Sequence, residues 1–294
     1  MIKTTILLLI LSTLAQAAQR VELTRTGSKS DSELELGYEL RKEPKDEAIV
    51  WSPALTFTTN RAKIRDSASG EVDRTNQIWW VNNFNLYNNI YVEANLGGSN
   101  TKADELTSRK VELKFGSGFG EEIPLSWSVG VGRNKISQGQ AQPSLEKLEL
   151  DQQSLNYSLS LDALDWLIVS FYGAQYDYDQ NLETQIGLLG TPGAVRIYGT
   201  AFYDTLTSLP KESIGLQASF ITSEKWSFSL DVGKTTDAPN PQVESANLGA
   251  TVNYQFDANW DMAGFLGSST VESTSTNSEE KFGYVGISLG YTWE

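Results

Sequence analysis

The sequence predicts an all-β fold, a transmembrane antiparallel up-and-down β-barrel. Three observations predict it. About fifteen segments alternate apolar and polar residues, and the connections between them alternate between short and long. The last segment ends on an aromatic residue. Successive side chains of a strand point to opposite faces, so each such segment has one apolar wall and one polar wall. In the last segment the apolar positions are Val285, Ile287, Leu289, Tyr291 and Trp293.

The composition excludes several classes of protein. The chain of 294 residues has no cysteine, no histidine and a formal net charge of −14. Without cysteine, a lipid-anchored lipoprotein and a disulfide-stapled secreted domain are excluded. The acidic balance argues against nucleic acid as a partner, because nucleic-acid binding draws on clustered lysine and arginine.

The N-terminal residues 1–17 are predicted to be a signal peptide. Lys3 supplies the positive charge, residues 6–14 the apolar stretch, and the Ala15-Gln16-Ala17 triplet the cleavage site. The apolar stretch is too short to span a bilayer as a helix. Residues 18–294 are therefore expected to form one barrel domain, and the mean hydropathy of −0.32 suits strands whose alternate residues face water.

The alternating segments follow one another along residues 18–294. They lie at 21–26, 33–40, 54–59, 78–86, 90–96, 111–115, 125–131, 155–161, 166–171, 186–188, 195–203, 214–220, 226–232, 248–256, 260–266 and 282–293. The weak segment at 21–26 makes the number even, as such barrels require, so about 16 strands are expected. Fourteen is the alternative, if the turn at 191–193 belongs to a loop.

The connections predict an orientation. Short turns are expected near residues 87–89, 119–122, 162–164, 191–193, 223–225 and 257–259, with longer polar stretches between them. Bacterial outer-membrane barrels have short periplasmic turns and long extracellular loops, so the 257–259 turn is predicted to face the periplasm.

Six of the eight tryptophans fall on this predicted periplasmic rim. Amphipathic indoles favour the boundary between membrane and water, which predicts an aromatic girdle. Its members are Trp51, Trp127, Trp166, Trp226, Trp260 and Trp293.

On the signal segment, the alternation, the turn asymmetry and the final strand, the chain resembles Gram-negative outer-membrane β-barrel proteins of the porin-like kind. The resemblance implies contact with outer-membrane lipid and lipopolysaccharide. It also implies that the barrel-assembly machinery reads the final strand during biogenesis. The strand departs from that signal in two ways: Glu294 follows Trp293, and Ser288 stands where a glycine might be expected.

The sequence does not predict an enzyme. Hydrolytic barrels use a histidine as general base, and this chain has none. Asp177, Asp179 and Glu183 form an acidic cluster that lacks the glycine and spacing of a calcium loop, and we interpret it as a solvated loop. No cofactor or metal is expected.

The lumen is the expected functional surface. Its predicted lining is small and polar, with more acidic than basic groups, which favours an aqueous channel for passive diffusion of small hydrophilic solutes with a mild preference for cations. The alternative is a non-conducting structural or surface-binding barrel. Trp79 is expected to enter the lumen, to pack there or to stack on a sugar. The predicted pore-lining residues are Glu93, Lys110, Glu112, Lys114, Ser128, Asn156, Ser158, Arg196, Ser229, Asp231 and Asn253.

Overall fold

The computed structural model describes residues 18–28, 31–41, 50–64, 72–86, 89–101, 106–120, 124–138, 149–179, 209–238, 243–273 and 278–293. Several of the sequence predictions lie wholly or partly outside these residues. They are the signal peptide at 1–17, the segments at 186–188 and 195–203, the turn at 191–193, parts of the turns at 87–89 and 119–122, and the roles of Arg196 and Glu183. No helix among the described residues is long and apolar enough to cross a membrane.

Fourteen antiparallel strands form the described part of the chain, and they close into a barrel in which β1 pairs with β14. The strands are β1 Ala18–Ser28, β2 Asp31–Arg41, β3 Val50–Ile64, β4 Val72–Leu86, β5 Ile90–Thr101, β6 Leu106–Phe119, β7 Leu125–Gln138, β8 Glu149–Leu164, β9 Leu167–Tyr178, β10 Pro210–Ile221, β11 Trp226–Asp237, β12 Val243–Gln255, β13 Trp260–Ser273 and β14 Ser278–Trp293. Each strand pairs with its neighbours in sequence, which confirms the up-and-down barrel. The count is the predicted alternative of fourteen.

The difference from sixteen lies between β9 and β10. These two strands pair directly with each other, from Glu212 opposite Gln175 to Phe220 opposite Leu167. The wall therefore passes from β9 to β10 without the two strands that the sixteen-strand prediction placed at 186–188 and 195–203. Those segments lie outside the described residues.

Apolar side chains cover the outer face of the wall. Val285 is 63% exposed, Leu266 61% and Leu248 58%, and similar side chains follow on every strand pair around the barrel. Transfer of one such side chain out of water is favourable by about 1.5–3 kcal/mol of free energy, so an outer face covered with them is stable only in contact with an apolar solvent. Closing the sheet leaves no strand edge unpaired, which is what a bilayer demands of spanning strands. The fold is a transmembrane β-barrel.

The two ends of the barrel differ. The end where β1 begins and β14 finishes carries the connections at 165–166, 222–225 and 256–259, and is called the turn end below. The opposite loop end includes the connections from β7 to β8 and from β9 to β10. One turn differs from its prediction: β8 continues to Leu164, with a register shift after Asp162, so the turn is at 165–166 rather than 162–164.

The structure places all six girdle tryptophans at the turn end. Trp226 and Trp260 begin β11 and β13, Trp166 lies in the 165–166 turn, and these three are 41–49% exposed. Their neighbours are aromatic as well: the Trp226 and Tyr254 ring centroids are 4.4 Å apart, and Trp260 and Tyr291 are 4.6 Å apart. That this rim lies at a membrane–water boundary, and on the periplasmic side, stays a prediction.

Candidate functional site: the barrel lumen

The inner face of the wall is polar and encloses a cavity of about 660 Å³. Strands β10 to β14 and β1 to β4 line this cavity. The alternation explains its chemistry, because each residue between two lipid-facing ones points inward. Serine, threonine, asparagine and glutamine supply many of the lining side chains, and their hydroxyl and amide groups suit water or a hydrophilic solute.

The structure divides the predicted pore-lining residues into two groups. Ser229, Asp231 and Asn253 line the cavity itself. The others in the described part of the chain lie on the inner face of β5 to β8, where they contact one another. These are Glu93, Lys110, Glu112, Lys114, Ser128, Asn156 and Ser158. Whether a conducting path touches either group stays a prediction.

The β5 to β8 group is a network of compensated charges. Lys114 Nζ lies 3.8 Å from Glu93 Oε1, and Lys110 Nζ lies 3.8 Å from Glu112 Oε2. The Asn156 amide donates to Glu112 Oε1 at 2.6 Å. Each carboxylate thus has an ammonium group nearby, and this side of the lumen contributes little net charge. The Ser128 and Ser158 hydroxyls join across β7 and β8 at 2.6 Å.

The cavity wall is acidic by contrast. Among the described residues, its charged lining residues are five carboxylates and one guanidinium: Glu22, Glu33, Glu35, Glu39, Asp231 and Arg20. Three of the carboxylates come from alternate positions of the single strand β2, so their charges stand along one wall. Acidic rings of this kind attract cations and repel anions.

Arg20 is held in an ion pair that spans the seam between the first and last strands. Its Nη2 lies 2.8 Å from Asp261 Oδ1, its Nη1 contacts the other carboxylate oxygen, and Glu22 Oε2 is 3.3 Å away. Arg20 is on β1 and Asp261 on β13, so the pair crosses β14. The guanidinium can lie there because Gly290 has no side chain: a Cβ at that position would be 2.3 Å from Arg20 Nη2.

Large lumen side chains lie over glycines of the neighbouring strand. Trp79 covers Gly97, where a Cβ would stand 2.2 Å from the indole ring. Lys110 Nζ lies 5.7 Å from the centre of the same ring. Trp79 also lines the cavity, so both of its expected roles stay open: it packs on β5, and it offers an aromatic surface to the lumen. The same arrangement recurs for Tyr91 over Gly116, Tyr172 over Gly215, Tyr284 over Gly267 and Phe265 over Gly286.

The sequence reading did not single out several of these residues. The predicted segment at 21–26 begins one residue after Arg20, whereas Tyr284 lies within the predicted segment at 282–293 but is not among its five apolar positions. The alternation of faces along a strand is enough to find such residues, since Arg20, two positions before Glu22, lies on the same face. The glycine partners could not be found that way, because they depend on the register between strands.

The inner wall also carries an apolar patch at the loop end. Ile136 on β7, Leu150 on β8 and Leu209 just before β10 are 4%, 1% and 7% exposed, and they pack together. Tyr178 packs against them, and its hydroxyl donates to the Pro210 carbonyl oxygen at 2.9 Å. Among the described residues, the inner wall is therefore mostly polar along the cavity and has an apolar patch at the loop end.

Several solved outer-membrane proteins resemble the fold. OmpT of Vibrio cholerae has a TM-score of 0.48 and 11% identity, with 95% of this chain and 97% of that chain covered. OccK5 of Pseudomonas aeruginosa has a TM-score of 0.47 and 11% identity, covering 94% and 97%. The KdgM porin in complex with disordered oligogalacturonate has a TM-score of 0.45 and 6% identity, covering 94% and 99%. Likenesses at these values indicate no subfamily and no solute for this chain.

No family model and no curated protein sequence matches the chain. Among the described residues, no group of three or more histidine, cysteine, aspartate or glutamate side chains could hold a metal ion. The candidate site therefore rests on the lumen's own geometry and charge.

Proposed function

We propose that the protein is an outer-membrane channel of the porin kind, through which small hydrophilic solutes diffuse passively. One observation carries the proposal: a closed barrel with an apolar outer face encloses a polar cavity of about 660 Å³. The open volume matters more than the polarity, because the interior of a plugged barrel is polar as well. Transport of this kind needs no catalytic group, and the chain has no histidine to act as one.

The cavity lining favours cations. Its one arginine is already paired with Asp261 and Glu22, so the surplus of carboxylates gives the lumen a negative potential. The β5 to β8 wall does not cancel that potential, because its lysines lie beside glutamates. We therefore propose a mild preference for cations over anions.

The cellular context follows from the same proposal. The turn end, with the girdle tryptophans, faces the periplasm, and the loop end faces lipopolysaccharide and the medium. Residues 1–17 act as a cleaved signal peptide in a Gram-negative cell. The barrel-assembly machinery inserts the chain, with the final strand as its signal.

Liposome swelling tests the passive channel. The purified protein, reconstituted in liposomes, is expected to let small uncharged sugars and amino acids enter, with rates that fall as the solute grows. Liposomes that hold a barrel of known non-conducting type give the control rate. Swelling no faster than that control, with correctly folded protein, would contradict the channel.

The non-conducting barrel remains a second candidate because of the apolar patch of Ile136, Leu150 and Leu209. These three side chains are only 1–7% exposed, so the inner wall is already covered at this place, and a lumen that is covered from within conducts poorly. A deletion strain separates the two: normal solute uptake with weakened envelope integrity or adhesion favours the structural role, and slowed uptake favours the channel.

A further inference from the structure

Two arginines stand on the outer face of the barrel near the loop end. Arg25 of β1 lies two positions beyond the outward Leu23, and Arg61 of β3 lies four positions beyond the outward Phe57, so each shares the outer face of its strand. Both arginine side chains are exposed. Among the described residues, no hydrogen bond or ion pair joins either guanidinium to another group. Two unpaired cations therefore adjoin the apolar wall.

The rest of the outer wall is different, because its basic side chains have acidic partners. Four outward basic side chains on β7 to β14 lie beside carboxylates of a neighbouring or the same strand. On β1 to β6, by contrast, the alternation places none of the described aspartates and glutamates on the outer face. The positive charge is thus uncompensated on this side of the barrel alone. The four pairs are Arg133 with Asp151, Lys135 with Glu149, Lys234 with Glu244 and Lys281 with Glu279.

The strand register brings these arginines into one row. Arg25 is opposite Leu34 of β2, Leu34 is opposite Arg61, and Arg61 is opposite Arg74 of β4. Neighbouring strands are about 5 Å apart, so the backbones at Arg25 and Arg61 are separated by about 10 Å, and two long side chains can reach one group between them. Like charges at opposite positions, as at Arg61 and Arg74, destabilise a sheet, and a bound anion would offset that cost.

The surroundings of the row indicate what kind of anion it suits. Leu34, between the two arginines, is 46% exposed, and so are Leu23 and Leu36 on the side toward the turn end. A guanidinium fork matches the oxygens of a phosphate group. A free phosphate ion would use the arginines and leave the leucines uncovered. A lipid with a phosphate headgroup would use both, with its acyl chains on the apolar wall.

We propose that Arg25, Arg61 and Arg74 form a site on the outer wall for a phosphate group of lipopolysaccharide. The acyl chains of the lipid lie beside Leu34 and along the apolar wall below it. The choice of lipopolysaccharide rests on the proposed orientation, in which the loop end faces the outer leaflet. Binding does not depend on conduction, so the site and the channel can be tested separately.

The probe is lipid A, the phosphorylated acyl anchor of lipopolysaccharide, and its counterpart is the same lipid with the phosphates removed. Native mass spectrometry of the folded protein in detergent measures the binding of each. Arg25→Gln with Arg61→Gln is expected to weaken lipid A binding by about tenfold or more, as loss of charged hydrogen-bond donors does. Arg25→Lys with Arg61→Lys is expected to lose less, because it keeps the charges but not the forks.

Arg133→Gln with Lys135→Gln is the matched control, because it removes two outward basic side chains that already have acidic partners. It is expected to keep lipid A affinity within about twofold. Equal losses in the two double glutamine variants would overturn the site and leave only the general surface charge. If Arg25→Gln with Arg61→Gln does not fold, Arg61→Gln alone decides, and unchanged lipid A affinity there overturns the site.

Three further arms identify the ligand. Binding of the dephosphorylated lipid as tight as that of lipid A would overturn phosphate recognition. Inorganic phosphate that binds as tightly as lipid A would overturn the lipid, and phosphatidylglycerol that does so would overturn lipopolysaccharide as the occupant. A conducting protein that does not bind lipid A would overturn the site and leave the channel. A protein that binds lipid A through these arginines without conducting would overturn the channel and support the site.

Discussion

At the scale of single residues, glycines decide where the large lumen side chains lie. Gly267 is the sharpest case, because a Cβ there would stand 2.3 Å from the Tyr284 hydroxyl and 2.6 Å from the Leu248 carbonyl oxygen. The ring can swing away, but the backbone oxygen cannot. The absence of a side chain at Gly267 is therefore what lets Tyr284 lie along the wall instead of across the lumen.

Gly267→Ala is predicted to destabilise the barrel by about 1–3 kcal/mol, the usual cost of overpacking. It should also move the Tyr284 ring into the cavity. Urea unfolding of the refolded protein in detergent measures the first effect. Gly264→Ala is the matched control on the same strand, because a Cβ at Gly264 meets no atom within 4 Å. Equal stability of the two variants would contradict the packing role.

The turn at 256–259 depends on one carboxylate. Asp257 Oδ1 accepts the backbone N–H groups of Asn259 and Trp260, each at 2.8 Å. These two hydrogen bonds hold the pKa of Asp257 below its ordinary value of 3.8. The folded protein therefore binds this proton less tightly than the unfolded chain does.

The sign of the pH effect follows from that shift. Asp257 stabilises the fold at pH values above about 3.8, and its contribution is lost as the pH falls through the lowered pKa. Asp257→Asn keeps an acceptor oxygen but not the charge, so it should flatten this part of the pH dependence. Urea unfolding midpoints from about pH 5 to about pH 2.5 measure the effect. A variant whose midpoints fall as steeply as the parent's would show that Asp257 does not contribute.

At the scale of elements, the seam between β1 and β14 is where the barrel closes. Backbone pairing there runs from Gln19 opposite Trp293 to Ser28 opposite Tyr284. The ion pair of Arg20 with Asp261 adds a link over β14, with side chains that are 31% and 33% exposed. Removing one partner of an ion pair of this intermediate exposure is expected to destabilise the fold more than breaking a surface pair does, and less than breaking a buried pair does.

Arg20→Gln is predicted to destabilise the closed barrel by about 1–3 kcal/mol. The double variant with Asp261→Asn should cost less than the two single variants together, because each single variant leaves one charge unpaired. Lys234→Gln breaks the more exposed cross-strand pair with Glu244 and serves as the control. Urea unfolding measures the loss of stability of the two single variants, of the double variant and of the control. If Arg20→Gln costs no more than Lys234→Gln, the seam link is not important.

The elements also show how far sequence reasoning reaches. On β12, Asn253 was predicted to face the lumen, and in the structure Asn253 and Thr251 line the cavity while Leu248 and Val252 are exposed on the outer face. A slip of one residue would place the polar groups in lipid. The direct pairing of β9 with β10 was predicted only as the fourteen-strand alternative, since residues 186–188 and 195–203 alternate as well. Strand pairing is a long-range property, and local periodicity carries no information about it.

The same limit explains what was predicted of the lumen. Parity along β11 placed Asp231 on the inner face. The residue over which it leans could not be predicted, because Gly249 lies opposite Asp231 only through the register of β11 with β12. The sequence thus indicates which residues face inward, and the register of the closed sheet decides which of them meet.

At the scale of the whole molecule, the distribution of charge around the lumen is the central property. One side, on β5 to β8, pairs its lysines with glutamates, and the other side, along the cavity, has more carboxylates than basic groups among its described lining residues. A channel with such a lumen conducts ions and selects them by sign, whereas a sealed barrel does neither.

The reversal potential of the purified protein in a planar bilayer under a KCl gradient tests this claim most directly. A measurable conductance and a reversal potential displaced toward that of potassium are expected. Replacing Glu33, Glu35 and Glu39 with glutamine should move the potential toward zero. A folded protein that conducts no current, or a reversal potential displaced toward that of chloride, would contradict the account.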